Sequence, residues 1–255
     1  YGSDGSLKKR YTYKYDTKEN KTEEAEYASD GSLDYKLTSK YDKKGNMTET
    51  SLYNSDGSLR EKYVCKYDSK GNLTEGASYN SDGSLSRKYI AKYDTQGNKT
   101  EEASYNSDGS LWYKYTYKYD TKGNKTEEAY YYNSDGSLKV KFIYKYDSKG
   151  NKTEEARYDA DGSSRGKYIY KYDKKGNLTE LAEYFSSGSL FSKSTYKYDT
   201  QGNNTEKAVY TSAGSLREKY VYKYDSKGNK TEMTLYDGEM QKPISQTVYT
   251  IIYRK

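Results

Sequence analysis

The chain has 255 residues and is rich in tyrosine, with 37 Tyr but only 3 Phe and 1 Trp. It carries 44 basic and 38 acidic residues, and this net charge of +6 excludes a polycationic protein. One cysteine and no histidine exclude an internal disulfide framework and leave few ligands for a transition metal. The hydrophobic fraction of 32% resembles that of disordered chains, but the aromatic residues fall at regular positions, which favours an ordered protein.

A Lys-Tyr-Asp triplet recurs along the chain and divides it into repeats. Neighbouring copies are 26 residues apart (42 minus 16, for example), except for one step of 27 between Asp120 and Asp147. The aspartates of the triplet are Asp16, Asp42, Asp68, Asp94, Asp120, Asp147, Asp173, Asp199 and Asp225. A fixed period of this length is typical of a tandem-repeat protein. We therefore predict an array of about nine units over residues 1–238.

Each repeat contains two alternating segments and two glycine-containing turns. One turn carries Gly-Asn, as in Gly123-Asn124, and the other carries Asp-Gly, as in Asp108-Gly109. These residue pairs accept the positive φ that short hairpin loops require. Both linkers are too short for a crossover connection, so consecutive strands should be antiparallel. We predict an all-β fold in which tandem 26-residue β-hairpin repeats form a long antiparallel meander, either spiralling or as a single-layer sheet.

Several places depart from the regular repeat, and three of them bear on the predicted fold. Glu19 stands where later turns have glycine, and Tyr130-Tyr131-Tyr132 contains the extra residue of the long step, which we interpret as a β-bulge. The pattern stops after Gly238, and Ile244–Tyr253 is the most aliphatic stretch. We predict that residues 239–255 form a C-terminal capping strand, because a repeat array needs to cover its open edge.

Period-two alternation sorts the side chains onto two faces. Tyr115, Tyr117 and Tyr119 share one face, and the lysines between them share the other. The same rule places Thr126 and Glu128 of the next strand on the lysine face, where opposite charges across strands contribute roughly 0.2–1 kcal/mol per pair. The tyrosine face needs cover. The sheet could coil around it, pair it with another copy, or lay each tyrosine flat over its neighbours.

Several classes of function are disfavoured by the repeated pattern. An enzyme needs a single constellation of groups, whereas the Glu pairs recur in many units and Cys65 stands alone, so we predict no catalytic activity and no cofactor. The loop Asn80–Ser84 resembles part of a calcium loop but lacks its first and last ligands, so we predict no metal site. Glutamates beside the lysines cancel the field that nucleic acid needs. No stretch approaches the roughly 18 apolar residues of a membrane span.

The last tyrosine of each first strand forms a regular row, here called the tyrosine ladder. Strands lie about 4.8 Å apart, so ladder tyrosines should recur every ~9.6 Å, close to the length of a disaccharide. The ladder is therefore a candidate partner-binding or polysaccharide-binding surface, and self-packing is the alternative. Trp112 is out of phase with Tyr113 and Tyr115 and is not assigned to this face. The ladder consists of Tyr15, Tyr41, Tyr67, Tyr93, Tyr119, Tyr146, Tyr172, Tyr198 and Tyr224.

Asn-x-Thr recurs at the turns and has the form of a glycosylation acceptor. The predicted acceptors are Asn46, Asn72, Asn98 and Asn124. Turn and strand preferences also account for these residues, because Asn suits a left-handed turn position and Thr suits a strand.

The segment Tyr117–Asn124, Tyr-Lys-Tyr-Asp-Thr-Lys-Gly-Asn, resembles the signature of the YD-repeat (Rhs-type) family, and similar copies cover nearly the whole chain. The resemblance implies a secreted or surface-exposed protein whose strand-turn-strand units build one long sheet. We therefore expect an extracellular structural or adhesive repeat protein, such as a stalk, filament or shell segment. Its tyrosine face would pack on itself or on another surface protein. The alternative is a polysaccharide-binding module.

Overall fold

The computed structural model describes residues 9–132, 135–239 and 242–250, which consist of β-strands and turns without a helix. The strands are β1 (Lys9–Tyr15), β2 (Lys21–Ala28), β3 (Leu33–Tyr41), β4 (Met47–Tyr53), β5 (Leu59–Tyr67), β6 (Leu73–Asn80), β7 (Leu85–Tyr93), β8 (Lys99–Asn106), β9 (Leu111–Tyr119), β10 (Lys125–Tyr132), β11 (Ser137–Tyr146), β12 (Lys152–Asp159), β13 (Ser164–Tyr172), β14 (Leu178–Tyr184), β15 (Leu190–Tyr198), β16 (Asn204–Thr211), β17 (Leu216–Tyr224), β18 (Lys230–Asp237) and β19 (Pro243–Val248). The predicted all-β fold of tandem hairpins is confirmed.

The chain divides into two compact units. One comprises the described residues of Tyr1–Lys118 and Ala129–Leu138, and the other those of Tyr119–Glu128 and Lys139–Lys255. In the first unit β1 to β9 pair antiparallel in chain order. In the second, β11 to β19 do the same. Among the described residues of each unit, a strand contacts only the strands before and after it, so each meander is one layer thick.

The two ends of the predicted array are only partly described. β19 pairs with β18 and is exposed along its whole length, and residues 251–255 lie outside the described part. The division into an array over 1–238 and a capping strand over 239–255 stays a prediction. The predicted bulge at Tyr130-Tyr131-Tyr132 adjoins residues 133–134, which also lie outside the described part.

The turn after a first strand is built by an aspartate and, in every repeat but the first, by a glycine. In Asp42–Asn46 the Gly45 N–H donates to the Asp42 carbonyl at 3.1 Å, and the Asp42 N–H donates to the Asn46 carbonyl at 2.9 Å. The Asp42 carboxylate accepts from the N–H groups of Lys44 and Asn46 and from Asn46 Nδ2. Gly45 has φ 88°, so this is a three-residue loop with a left-handed glycine. The idea that asparagine takes the left-handed position is wrong, because glycine takes it and asparagine binds the aspartate.

The first repeat keeps this turn without its glycine. Glu19 adopts φ 66°, and it is the one non-glycine residue with positive φ among the described residues. The Asp16 carboxylate still accepts from the N–H groups of Lys18 and Asn20 at 2.8 and 2.9 Å. The surrounding hydrogen bonds therefore hold Glu19 in a conformation that costs a residue with a Cβ roughly 1–2 kcal/mol.

Every strand pairing from β1 to β9 and from β11 to β19 contains a β-bulge or similar irregularity. In β5–β6, Lys66 lies opposite Glu75 but Tyr67 lies opposite Leu73. Thr74 is therefore an extra residue, and Leu73 stays on the face of Tyr67. Because the side-chain period is two residues, one extra residue moves the remaining side chains of β6 to the face opposite the one that simple alternation predicts.

The bulge corrects the predicted faces of the second strand. Glu128 was assigned to the lysine face, but Tyr144 on the tyrosine face donates to Glu128 Oε2 at 3.3 Å. The glutamate before it belongs with the lysines, as Lys92 opposite Glu101 shows in the preceding repeat. Simple alternation therefore fails at the threonine that starts each second strand.

Most of the deeply buried side chains in the middle of the sheet are small, although Glu26 and Val209, each 5% exposed, are buried as well. Ala77 lies between Val64 of β5 and Lys88 of β7, where the stems of neighbouring side chains can cover it. No large side chain is fully buried among the described residues. Each unit is thus a single layer of strands, and the pairing of its tyrosine face with another copy stays a prediction. The recurring buried alanines, each at most 6% exposed, are Ala25, Ala77, Ala103, Ala129, Ala156, Ala182 and Ala208.

Candidate functional site on the tyrosine face

The lysine face is held together by ion pairs across strands. Lys92 Nζ lies 2.9 Å from Glu101 Oε1, and Lys114 Nζ of the next strand lies 2.8 Å from Glu101 Oε2. Burial raises the pKa of Glu101, but the hydrogen bonds from Lys114 and Lys92 outweigh it, so the pKa is lowered. The predicted rows of opposite charge are confirmed, with the first glutamate as the partner. Equivalent pairs are Lys40–Glu49, Lys66–Glu75, Lys145–Glu154, Lys171–Glu180, Lys197–Glu206 and Lys223–Glu232.

The lysine face also carries tyrosines that the sequence analysis did not place there. Lys36 lies opposite Tyr53, with Nζ 4.9 Å from the ring centre, and Lys219 is related to Tyr236 in the same way at 4.9 Å. Such cation–π contacts contribute about 0.5–1 kcal/mol each at exposed sites. Most repeats thus use one tyrosine to pack the lysine face, and the equivalent contacts involve Tyr79, Tyr131, Tyr158, Tyr184 and Tyr210.

The tyrosine face has ionised groups of its own. Glu102 accepts from the hydroxyls of Tyr117 and Tyr89 at 2.7 and 2.8 Å and from Lys99 Nζ at 2.8 Å. Burial raises the pKa of Glu102, but these three donors outweigh it, so the pKa is lowered. Burial, together with the bond to Glu102, raises the pKa of Tyr89 to about 12. The carboxylate therefore stays ionised and links three strands.

The ladder tyrosines connect each repeat to the one before it. Tyr67, the last residue of β5, donates its hydroxyl to the carbonyl of Met47, the first residue of β4, at 2.9 Å. Both residues lie at the end of the strand pair away from the turn that joins β4 to β5. Tyr15 is 59% exposed and has no strand before it among the described residues. Tyr119 holds the equivalent position in its own repeat. Bonds of 2.8–3.1 Å join Tyr41 to Lys21, Tyr93 to Leu73, Tyr146 to Lys125, Tyr172 to Lys152, Tyr198 to Leu178 and Tyr224 to Asn204.

Trp112 belongs to the tyrosine face, against the expectation from its phase. In β8–β9, Ser104 lies opposite Tyr113 and Tyr105 lies opposite Leu111, so Trp112 is the extra residue of a bulge. Its ring centre is 5.1 Å from that of Tyr113. Alternation could not reveal this, because a bulge is fixed by the pairing of two strands and not by the order of residues in one.

A shallow groove opens on the tyrosine face beside Trp112. Its floor consists of the small residues Gly76, Ser78 and Ser104, and its volume is about 260 Å³. A Cβ on Gly76 would lie 2.2 Å from the Tyr63 hydroxyl, so the missing side chain makes room for that ring. The remaining lining residues are Tyr63, Leu73, Arg87, Tyr89, Trp112 and Tyr113.

The predicted glycosylation acceptors keep their place in the turns. Their Nδ2 groups donate to the turn aspartates, at 2.9 Å for Asn46, Asn72 and Asn124 and 3.0 Å for Asn98. Their glycosylation stays a prediction. In the described part of the chain no three His, Cys, Asp or Glu side chains come together in a group that could hold a metal ion. The same residues include no helix of the length and apolarity that would cross a bilayer.

No protein-family model and no curated protein matches the chain. Among solved structures it is similar to the TcdB2-TccC3-TEV structure, with 12% identity and a TM-score of 0.42. It is also similar to the Tc holotoxin pore of Photorhabdus luminescens (13%, 0.37) and to a porin-like protein from Bacteroides uniformis (12%, 0.36). The alignment with the first structure covers 95% of this chain and 16% of the solved chain, and the alignment with the second covers 91% and 15%. For the porin-like protein the two values are 84% and 91%. The chain thus spans about one sixth of the toxin chains.

Proposed function

We propose that the chain is a structural repeat segment of an extracellular or cell-surface protein, and that its tyrosine face packs on a second copy or on another surface protein. The observation that carries this proposal is the way each repeat is bonded to its neighbours. Ladder tyrosines bond backward to the preceding repeat, as Tyr172 does to the Lys152 carbonyl. Turn lysines bond forward, as Lys149 Nζ does to the Lys174 carbonyl at 2.6 Å. Such nearest-neighbour bonding supports a scaffold.

The tyrosine face is proposed as the contact surface because it keeps large aromatic groups in solvent. Trp112 is 38% exposed and Tyr168 is 37% exposed, although each contacts neighbours on the sheet. Exposed aromatic surface on a folded protein commonly marks a contact with another molecule, and Tyr and Trp are enriched in such contacts. The lysine face, with its rows of paired charges, is less suited to this role.

The same proposal gives the chain no catalytic role and no cofactor, since its ionised side chains are repeated and engaged in packing. It also favours protein packing over a polysaccharide laid along the whole ladder. The ladder hydroxyls already donate to backbone carbonyls, as Tyr67 does to Met47, so a sugar chain would find only ring faces there. The extracellular setting is supported by the resemblance to the YD-repeat signature.

Light scattering and electron microscopy of the purified chain, without ligand, test the proposal. We expect defined oligomers or filaments whose mass rises with protein concentration. Tyr168→Lys introduces a charge on the tyrosine face and should lower that mass. Tyr105→Lys makes the same change on the lysine face and should not. A monomer at every concentration that also captures no surface protein, or equal effects of both variants, would contradict the proposal.

A further inference from the structure

We propose that the groove over Gly76, Ser78 and Ser104 binds an acidic sugar ring, such as a uronic acid residue of a polysaccharide. This site is local to one part of the first unit, and it goes beyond the structural role, which does not depend on it.

The groove arises because Ser78 of β6 and Ser104 of β8 lack side-chain bulk on the tyrosine face, while the Tyr63 ring fills the space over Gly76. Ser78 occupies the position that Leu52 holds one repeat earlier, and Ser104 occupies the position that Tyr130 holds one repeat later. Ser104 is only 2% exposed and lies between Tyr89 and Tyr113. The small residues therefore form a floor, and the flanking rings stand as walls.

The walls suit the face of a small ring. The volume of about 260 Å³ lies just below the roughly 300–1,000 Å³ of pockets for drug-sized ligands, which fits one or two rings. Trp112 and Tyr113 make a tilted aromatic pair, at 59° between planes, against which a sugar ring can pack its C–H groups. The Ser78 hydroxyl and the Tyr63 hydroxyl can bond to sugar hydroxyls.

Arg87 supplies the charge that selects an acidic sugar. Its guanidinium carbon lies 3.9 Å from the centre of the Trp112 ring, and its N–H edge forms no ion pair with the described residues. By contrast, Arg165 is paired with Asp159 at 2.6 Å and Arg217 with Glu218 at 3.6 Å. A guanidinium held on an aromatic face presents a planar fork that matches a carboxylate. One such cation balances the single charge of a uronate better than the charge of about −2 on a phosphate group.

Trp112 is the only tryptophan, so its fluorescence reports directly on the groove. We expect saturable changes in Trp112 emission on titration with oligogalacturonate and none with neutral malto-oligosaccharides of equal length. Arg87→Gln should weaken binding at least about tenfold, as expected when a charge-assisted hydrogen bond is lost. Arg217→Gln removes an equal charge in the other unit and should leave the affinity unchanged.

Ser78→Leu fills the groove with the residue that the preceding repeat already tolerates. We expect this variant to keep the circular dichroism spectrum and urea midpoint of the parent and to lose binding. Equal losses in Arg87→Gln and Arg217→Gln would indicate attraction to net charge alone and would overturn the proposal. So would unchanged binding by Ser78→Leu, equal binding of neutral sugars, tighter binding of nucleotides or inorganic phosphate, or no response to oligogalacturonate.

Discussion

Removal of one ladder hydroxyl measures how strongly a repeat is bonded to its neighbour. In Tyr172→Phe the ring remains, but the 2.9 Å bond from the Tyr172 hydroxyl to the Lys152 carbonyl is lost. A hydrogen bond of this kind contributes a net 0.5–1.5 kcal/mol, and this carbonyl is partly shielded from water. We therefore expect the free energy of unfolding to fall by about 1 kcal/mol. Adding Tyr224→Phe two repeats away should double the loss, because distant sites add.

Urea denaturation followed by circular dichroism measures this loss, and hydrogen exchange of the amides in β12 and β13 locates it. Tyr15→Phe is the matched control, since Tyr15 is 59% exposed and has no strand before it among the described residues. Its midpoint should stay within error of the parent. Equal midpoints for the Tyr172 and Tyr15 variants would refute the reasoning that ladder hydroxyls couple neighbouring repeats.

Four further outcomes follow from two backbone positions with positive φ and from two titratable groups. Glu19→Gly should raise the free energy of unfolding by about 0.5–1 kcal/mol, because the strain at φ 66° is relieved and part of that gain is offset by glycine's entropy in the unfolded chain. Gly166→Ala should lower it by at least about 2 kcal/mol, because φ is 111° and a Cβ would lie 2.3 Å from the Tyr184 carbonyl oxygen. The pKa of Glu101 is lowered in the fold, so its carboxylate contributes stability above the unfolded pKa of about 4.3. This contribution is lost as the pH falls through the folded pKa. Glu101→Gln should therefore flatten the acid limb of the plot of unfolding free energy against pH. The pKa of Tyr89 is raised to about 12, above the unfolded value of about 10. The protonated hydroxyl therefore contributes stability that is fully present below pH ~10 and is lost as the pH rises towards 12. Absorbance at 295 nm follows the ionisation.

The two outcomes at positive-φ positions have controls in the same chain. Gly162→Ala has φ 83° and meets no atom within 4 Å, so it isolates the strain from the collision at Gly166. Lys18→Gly changes the same turn as Glu19→Gly at a position without positive φ and should destabilise the protein slightly. An acid limb unaltered by Glu101→Gln, or a Tyr89→Phe variant that leaves the alkaline titration unchanged, would contradict the assignments of those two groups.

The repeat and its hairpins could be predicted from sequence because their causes are local. The 26-residue period places a glycine at the same turn position in every repeat but the first, and the backbone freedom of glycine explains its recurrence, as at Gly45 with φ 88°. Lys-Tyr alternation in the first strand predicted one face correctly. In β5, for example, every residue from Tyr63 to Tyr67 has its own partner on β6, so the extra residue lies in the second strand. The fold class follows from these two signals.

The second strand and the groove could not be predicted in the same way, because bulges depend on the partner strand. The extra residue at Thr74 moves Glu75 to the lysine face, and the extra residue at Trp112 brings its ring onto the tyrosine face. In both cases the side chain lies on the face opposite the one that simple alternation predicts. The role of the ladder hydroxyls was also hidden, since the carbonyl that Tyr67 contacts at Met47 lies 20 positions earlier in the chain.

Hydroxyl-radical footprinting at low and high protein concentration tests the proposed contact face most directly. Tyrosines of both faces are present in the same chain, which gives an internal control: Tyr93 and Tyr172 lie on the tyrosine face, and Tyr79 and Tyr105 lie on the lysine face. We expect protection of Tyr93, Tyr172 and Trp112 to rise with concentration, or on addition of a surface partner, while Tyr79 and Tyr105 keep their reactivity. Protection confined to the lysine face, or none on either face under both conditions, would contradict the account.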